Sequence, residues 1–97
     1  MLVVLVDEST KHSRVRTRRI ASKYLHQIAS STWMGNLSAE ALDQLRIEVR
    51  EIAKRNSVVV CFRIRSARRY EIAWTAGDTT MWDERGAFAF RMEGVLR

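Results

Sequence analysis

The sequence predicts an α+β fold in which two helices pack on one face of a mainly antiparallel sheet. Three observations support this prediction. A continuous run of branched apolar residues opens the chain at Met1–Val6, as in a strand buried on both faces. Apolar residues recur at helical spacing between Leu42 and Ile52. Apolar and polar residues alternate over 57–65 and 70–75, which is typical of strands.

The first half of the chain is predicted to hold two strands with one helix between them. Asp7 closes the opening strand, and residues 30–34 are predicted to form the second strand, which Gly35 ends. The helix is predicted from about Ser13 to Ile28. Its prediction depends on apolar residues at helical spacing, which are Ile20, Ala21, Tyr24, Leu25 and Ile28.

The second half is predicted to contain a helix followed by strands. Ser38 is a favourable N-cap for this helix, which is predicted to end near Arg55. Strands follow over 57–65 and 70–75, and a last strand is predicted over 87–92. In the first of these strands one face carries Val58, Val60, Phe62 and Ile64, and the other carries Cys61, Arg63 and Arg65.

This order of elements predicts a ferredoxin-like sandwich of the βαββαβ type. A buried strand followed by a helix implies a right-handed crossover back to the sheet, which leaves both helices on one face. The 97 residues suit a single domain, 1–97, with a C-terminal tail strand over about 86–97.

The distribution of charge points to a polyanionic partner. Seventeen Lys and Arg residues against eleven Asp and Glu give a net charge of +6. No acid occurs between Ser9 and Ala39 or between Ile52 and Tyr70, although these windows hold twelve of the cations. Arginine suits bidentate phosphate contacts, so nucleic acid is the simplest predicted partner. The candidate contacts are Arg14, Arg16, Arg18, Arg19, Arg63, Arg65, Arg68 and Arg69.

The sequence gives no indication of a disulfide, a membrane-spanning segment or a signal peptide. Cys61, the single cysteine, lies in an apolar run and is predicted to be a small buried hydrophobe. The apolar run at 1–6 is too short to span a membrane, and no basic segment of a signal peptide precedes it. A cytoplasmic protein without a membrane partner is therefore expected.

Asp7 is the candidate catalytic residue and metal ligand. It follows a buried strand, where the sheet would hold its carboxylate rigidly while the head reaches solvent. Phosphodiester enzymes hold Mg²⁺ with such oxygen ligands. Aspartate is also a common turn former at strand ends, so both roles stay open. One carboxylate makes a poor metal site, whereas a two-fold axis would bring two together.

Several short motifs occur in a fixed order along the chain. They are the strand ending in an acid at Leu2–Asp7, Arg16 and Arg18 as an R-x-R pair, the turn Trp33–Ala39, and segments 56–60, 70–72 and 83–88. Together they resemble the small CRISPR-associated Cas-two family, and the tail is similar to that of its type I-E branch. The loop from Ser9 to Ser13 is longer than in type I-E relatives and lacks their prolines.

The resemblance implies a homodimer of ferredoxin-like protomers that acts in spacer acquisition. Such a dimer bridges two dimers of the Cas-one integrase and holds duplex DNA on its basic surface. The resemblance also implies Mg²⁺-dependent endonuclease activity on RNA or DNA in several members, with Asp7 at the position of the acting acid. In the type I-E branch the protein acts as a scaffold.

Two classes of function stay open from the sequence, and they do not exclude each other. One is a DNA-holding scaffold in CRISPR adaptation, and the other is a metal-dependent endonuclease. An alternative is an RNA-binding protein or toxin-like ribonuclease of ferredoxin fold, unrelated to CRISPR.

Overall fold

In the computed structural model, the described residues are 1–53 and 57–77. They form five strands and two helices: β1 (Leu2–Asp7), α1 (Lys11–Ala21), β2 (His26–Ala29), β3 (Thr32–Asn36), α2 (Ala39–Ile52), β4 (Val58–Ser66) and β5 (Arg69–Gly77). The sheet order is β2-β3-β1-β4-β5, and every neighbouring pair is antiparallel. This is the predicted ferredoxin-like arrangement. The tail strand predicted over 87–92 lies outside the described residues.

The first helix is shorter than the spacing predicts, and the prediction of a helix to Ile28 is wrong. Helix α1 ends at Ala21, and residues 26–29 form the edge strand β2. The backbone N–H groups of Tyr24 and Leu25 both donate to the Ala21 carbonyl, so a tight turn follows the helix. Leu25 is buried from this turn, while Ile28 on the edge strand is 43% exposed. The apolar residues of the sequence thus keep helical spacing as far as Ile28, although the helix itself ends at Ala21.

Hydroxyl side chains set the start of both helices. Thr10 caps α1, because its Oγ1 accepts a hydrogen bond from the Ser13 backbone N–H at 3.3 Å. Ser38 caps α2 in the same way through the Ala41 N–H at 3.1 Å, as predicted. Helix α2 ends at Ile52, earlier than the predicted end near Arg55.

Two apolar layers lie on opposite faces of the sheet. The layer beneath the helices joins Leu45 and Val49 of α2 to Trp33 and Cys61 of the sheet. The layer on the other face draws its buried members from strands alone, namely Val4, Val6, Val60, Phe62 and Ile64. The predicted alternation along β4 is confirmed at Val60, Phe62 and Ile64 on one side and Cys61 on the other. Because both faces of β1 and β4 are buried, these strands form the rigid centre of the sheet.

No helix within residues 1–53 and 57–77 is long and apolar enough to cross a membrane.

Cys61 is expected to be unreactive in the folded protein. Its side chain is fully buried between Leu5 and Trp74, its cross-strand neighbours. Burial raises the pKa of the thiol to about 12, with the nearby Arg63 charge acting weakly in the opposite sense. Since only the thiolate is nucleophilic, iodoacetamide at neutral pH should leave the native chain unmodified by mass spectrometry. Equal labelling of native and urea-unfolded chains would contradict this prediction.

Candidate nucleic-acid interface and strand-end carboxylate

Helix α1 collects the first group of predicted contacts on one element. Of its cations, Arg14 is half-buried and the other four, Lys11, Arg16, Arg18 and Arg19, are exposed. No acid occurs between Ser9 and Ala39, so no residue of the helix itself neutralises them. Arg18 and Arg19 also lie in the last turn, where positive charge stabilises the helix dipole.

The cations of α1 also lack partners elsewhere in the described part of the chain. The ion pairs found there are Lys23–Glu48, Arg46–Asp43, Arg63–Glu71 and Arg65–Glu71. None of these four pairs includes a residue of α1. The charge of this helix therefore remains available for an external anion.

The second group of predicted contacts is different, because an acid neutralises part of it. Glu71 on β5 accepts hydrogen bonds from Arg63 at 3.1 Å and from the Arg65 Nη2 at 3.0 Å. The Arg65 hydrogen bond, followed by its charge and that of Arg63, holds the pKa of Glu71 below its usual range. Arg68 and Arg69 stay exposed at the β4–β5 turn.

The structure does not bring the two groups into one cluster. Residues of helix α1 line a groove together with Gln27, Ser30 and Trp33 of the β2–β3 region, so the helix lies on that side of the sheet. The β4–β5 turn belongs to the opposite edge of the sheet, with β3, β1 and β4 between β2 and β5. A nucleic acid that contacted both groups would have to extend across the molecule.

Asp7 is buried, which corrects the expectation that its head reaches solvent. Its side chain is 0% exposed, and its Oδ1 accepts a hydrogen bond from the Ser9 N–H at 2.8 Å. The chain folds over it because Glu8 N–H donates to the Val58 carbonyl and Val58 N–H donates to the Ser9 hydroxyl at 2.7 Å. The turn-forming role of Asp7 is therefore present in the structure.

The other carboxylate oxygen of Asp7 is the part of this side chain that could bind a further ligand. Asp7 Oδ2 is buried and has no hydrogen-bond partner among residues 1–53 and 57–77. A buried carboxylate oxygen normally needs a donor or a cation, and oxygen is the ligand that Mg²⁺ prefers. However, no group of three or more His, Cys, Asp or Glu residues gathers anywhere in this described part. The residues fit one ligand of a magnesium site and do not complete it.

A polar clamp that was not predicted from the sequence joins the turn after α1 to helix α2. Glu48 of α2 accepts hydrogen bonds from Lys23 Nζ at 2.7 Å and from the Tyr24 hydroxyl. The Lys23 bond first, and the Tyr24 bond second, lower the pKa of Glu48, while the Glu48 contact raises the pKa of Tyr24. The clamp holds the turn after α1 against α2, and so helps to position the cationic helix. The acid-to-base separation of 25 residues gives no local sequence signal for it.

The Glu48 clamp should make folding stability depend on acid pH. Since the pKa of Glu48 is lowered in the folded state, its contribution is present above the unfolded pKa of about 4.3 and is lost as pH falls through the folded pKa. Urea unfolding between neutral and acid pH should therefore show a smaller acid loss for Glu48→Gln than for the wild type. Glu51→Gln, an exposed acid on the same helix, is the control. Identical pH profiles for Glu48→Gln and the wild type would contradict the clamp.

The fold and the charged helix define a ferredoxin-like domain with a cationic face and a buried strand-end aspartate. The family model described as "CRISPR-associated nuclease/helicase Cas3, I-F/YPEST, Cas2 domain" matches residues 1–79. The chain belongs to this Cas2 domain family and is therefore CRISPR-associated. The resemblance to the Cas-two family is confirmed at this level.

Two relatives of similar sequence share one name with each other. The CRISPR-associated nuclease/helicases Cas3 subtype I-F/YPEST of Pectobacterium atrosepticum and of Pseudomonas aeruginosa are each 31% identical to the chain over 87 residues. The match covers 90% of this chain but 8% of each relative. The predicted type I-E branch is not confirmed, because the family and both relatives are of subtype I-F/YPEST.

Proposed function

We propose that the chain binds duplex DNA as a homodimer and serves as a scaffold in CRISPR adaptation, with the Cas-one integrase as its partner. The observation that carries the DNA-binding part is the acid-free helix α1, whose five cations have no ion-pair partner in the described part of the chain. Membership of a CRISPR-associated family supports the biological setting. Location in the cytoplasm stays a prediction from the sequence.

The physical basis of the proposed binding is counterion release. Each phosphate that Lys or Arg neutralises frees condensed cations from the duplex, so affinity falls as salt rises. Helix α1 offers cations without acids, while α2 alternates acids and bases, including Glu40, Asp43, Arg46 and Glu48. The α1 side of the helical layer is thus the favoured docking side for a polyanion.

The homodimer is proposed on the family resemblance and on the ligand count at Asp7. Asp7 supplies one buried carboxylate oxygen without a hydrogen-bond partner among residues 1–53 and 57–77, whereas a two-fold axis would bring a second, identical oxygen from the other protomer. The same argument supports a second candidate function, Mg²⁺-dependent endonuclease activity on DNA or RNA. In that case Asp7 would be the metal ligand contributed by each protomer, and Mg²⁺ would supply Lewis-acid chemistry at the phosphodiester.

A Cas3-type nuclease/helicase is the further partner we propose. The two relatives are nuclease/helicases that are much longer than this chain, and each contains a region similar to it. We infer that the chain acts together with such an enzyme. The alternative of a ribonuclease unrelated to CRISPR loses its support, since the family is CRISPR-associated.

The test of the second candidate is cleavage of matched duplex DNA and RNA with Mg²⁺ or EDTA. Asp7→Asn keeps an oxygen that can accept from Ser9 N–H but removes the charge, so it should abolish metal-dependent cleavage and leave duplex affinity unchanged. Glu51→Gln removes an exposed acid on α2 and should change neither. Metal-dependent cleavage that persists in Asp7→Asn would exclude Asp7 as the ligand, while fluorescence anisotropy on the same duplex tests the binding function separately.

A further inference from the structure

A pocket lies between the first half of helix α2 and the strands β4 and β5. Its volume is about 200 Å³. This volume is below the range of roughly 300–1,000 Å³ that is typical of sites for whole small-molecule ligands. Its lining combines charged, aromatic and apolar side chains, which include Met1, Asp43, Arg46, Arg63, Ala73 and Trp74. The pocket therefore suits a single side chain of another molecule.

A β-bulge shapes the strand side of the pocket. The β4–β5 ladder pairs Cys61 with Trp74 and the next residue of β4 with Ile72. Ala73 is thus the extra residue on β5, and it packs against the same apolar layer beneath the helices to which Trp74 belongs. Arg63 lies two residues after Cys61 on β4, so its side chain is on that side of the sheet as well.

Buried N–H groups without an acceptor are concentrated at this pocket. Within residues 1–53 and 57–77, four side-chain nitrogens are buried and have no hydrogen-bond partner, and they are Trp33 Nε1, Arg46 Nε, Arg63 Nε and Trp74 Nε1. Three of the four belong to residues that line the pocket. Since a buried donor without an acceptor is costly, a bound group that brings acceptor oxygens to this region would be stabilised.

The ion pairs at the pocket have a surplus of one positive charge. Arg46 pairs with Asp43. Glu71, which lies beside the pocket, pairs with both Arg63 and Arg65. Three cations therefore stand against two acids. The side chains of Arg46 and Arg63 are 37% and 34% exposed, so an anion can reach both guanidinium groups from solvent.

We propose that this pocket binds the carboxylate of a glutamate or aspartate side chain of a protein partner. The guanidinium groups of Arg46 and Arg63 form charge-assisted hydrogen bonds to the carboxylate oxygens. Arginine and tryptophan together are typical of the residues that contribute most to protein–protein interfaces. Met1, which is 46% exposed, offers apolar surface that such a partner would cover. The inference goes beyond DNA binding and does not depend on it.

A carboxylate fits the pocket better than a phosphate of a nucleic-acid backbone. One surplus positive charge matches one carboxylate, whereas Asp43 repels the closely spaced charges of a polyphosphate chain. Met1 and Ala73 can contact the methylene groups of a glutamate side chain, and a phosphate has no apolar part to bury there. Phosphate is therefore the competing occupant in the test.

The experiment uses the peptide acetyl-Leu-Glu-Leu-amide as the probe and the indole N–H signals in ¹⁵N-resolved NMR as the readout. Titration of this peptide at constant ionic strength should shift the Trp74 indole signal in a saturable way. The Trp33 indole is an internal control, because its Nε1 is also buried and unpartnered among the described residues but does not line the pocket. Acetyl-Leu-Gln-Leu-amide, which lacks the charge, and inorganic phosphate should both leave the Trp74 signal nearly in place.

Two substitutions on α2 should change the peptide affinity in opposite directions. Arg46→Gln removes a guanidinium group of the pocket and should weaken binding of the glutamate peptide by about tenfold. Asp43→Asn removes the acid that competes for Arg46 and should strengthen binding by about threefold, a gain that a misfolded chain could not produce. Arg50→Gln removes an exposed positive charge of the same helix outside the pocket, so it should bind the peptide as the wild type does.

The outcomes keep this inference separate from the proposed function. A Trp74 signal that stays in place with the glutamate peptide, or that moves equally with the glutamine peptide, overturns the carboxylate site. Equal losses of peptide affinity in Arg46→Gln and Arg50→Gln also overturn it, and a shift with phosphate alone would make phosphate the occupant. Arg46→Gln should keep wild-type affinity for duplex DNA, so a failure of the pocket leaves DNA binding intact, and a failure of DNA binding leaves the pocket intact.

Discussion

Replacement of Arg16, Arg18 and Arg19 by glutamine is expected to reduce the salt dependence of duplex binding more than any other change to the surface. All three side chains are exposed on α1 and have no ion-pair partner within the described residues. Affinity falls as salt rises, so the slope of log affinity against log salt is negative. If each arginine neutralises one phosphate, this slope should become shallower by about 0.9 per residue, or roughly 2.7 for the triple variant. Fluorescence anisotropy at several salt concentrations measures this slope. Glutamine forms helices nearly as well as arginine, so the fold should be kept.

A matched single substitution tests whether position or net charge is responsible. Arg16→Gln on α1 and Arg50→Gln on α2 each remove one exposed positive charge. We expect Arg16→Gln to make this slope shallower by about 0.9, while Arg50→Gln leaves it near the wild-type value. Equal slopes for the two variants would show that α1 is not the contact surface. Far-UV circular dichroism of both variants confirms that the helices are intact.

Leu45→Ala is expected to destabilise the fold by about 2–5 kcal/mol, the usual cost of a large-to-small change that leaves a cavity in a core. Leu45 is 0% exposed and lies in the layer between α2 and the sheet, where Trp33 and Cys61 also pack. Equilibrium unfolding in urea measures the loss as a lower midpoint with an unchanged m-value. The loss in free energy of unfolding is large because the surrounding side chains cannot fully close the cavity that the substitution leaves.

Ile47→Ala is the control for this substitution, since Ile47 lies on the same helix but is 41% exposed. Its truncation should cost a small fraction of the Leu45 value, because half-exposed side chains contribute less burial. A similar loss for the two variants would mean that α2 does not face the sheet as described. A negligible loss at Leu45 would lead to the same conclusion.

The fold class and elements such as α2 and β4 were predictable because the sequence patterns that define them are local. The spacing from Leu42 to Ile52 and the cap at Ser38 define α2, and the alternation from Val58 to Ile64 defines β4. The end of α1 was not predictable in this way. Tyr24 and Leu25 continue its apolar spacing, but a turn bonded to Ala21 places them in the core and leaves the next residues to β2.

The candidate site was predictable in its residue types but less in its environment. The absence of acids around α1 is visible in the sequence, and the structure adds no neutralising partner among the described residues. The pairing of Glu71 with Arg63 and Arg65 depends on the β4–β5 register, which composition does not reveal. The burial of Asp7 depends on a backbone contact with Val58, far along the chain. Long-range contacts thus account for both differences.

The family was predicted from the sequence, but its branch was not. The short motifs in their fixed order, among them the opening strand and the Trp33–Ala39 turn, suggested the Cas-two family, which the match over residues 1–79 confirms. The tail suggested type I-E, whereas the matching family is of subtype I-F/YPEST. The segment Ser9–Ser13, which was expected to be a longer loop than in type I-E relatives, was the signal that the chain departs from that branch. In the structure α1 already begins within this segment, at Lys11.

The most direct test of the proposed function is the mass of the complex that the chain forms with a short duplex DNA. Size-exclusion chromatography with light scattering at low salt gives this mass and shows whether the complex forms. We expect two copies of the chain on one duplex, and a complex that dissociates as salt is raised. A chain that elutes apart from the duplex at low salt would contradict DNA binding. A complex with one copy of the chain would contradict the homodimer.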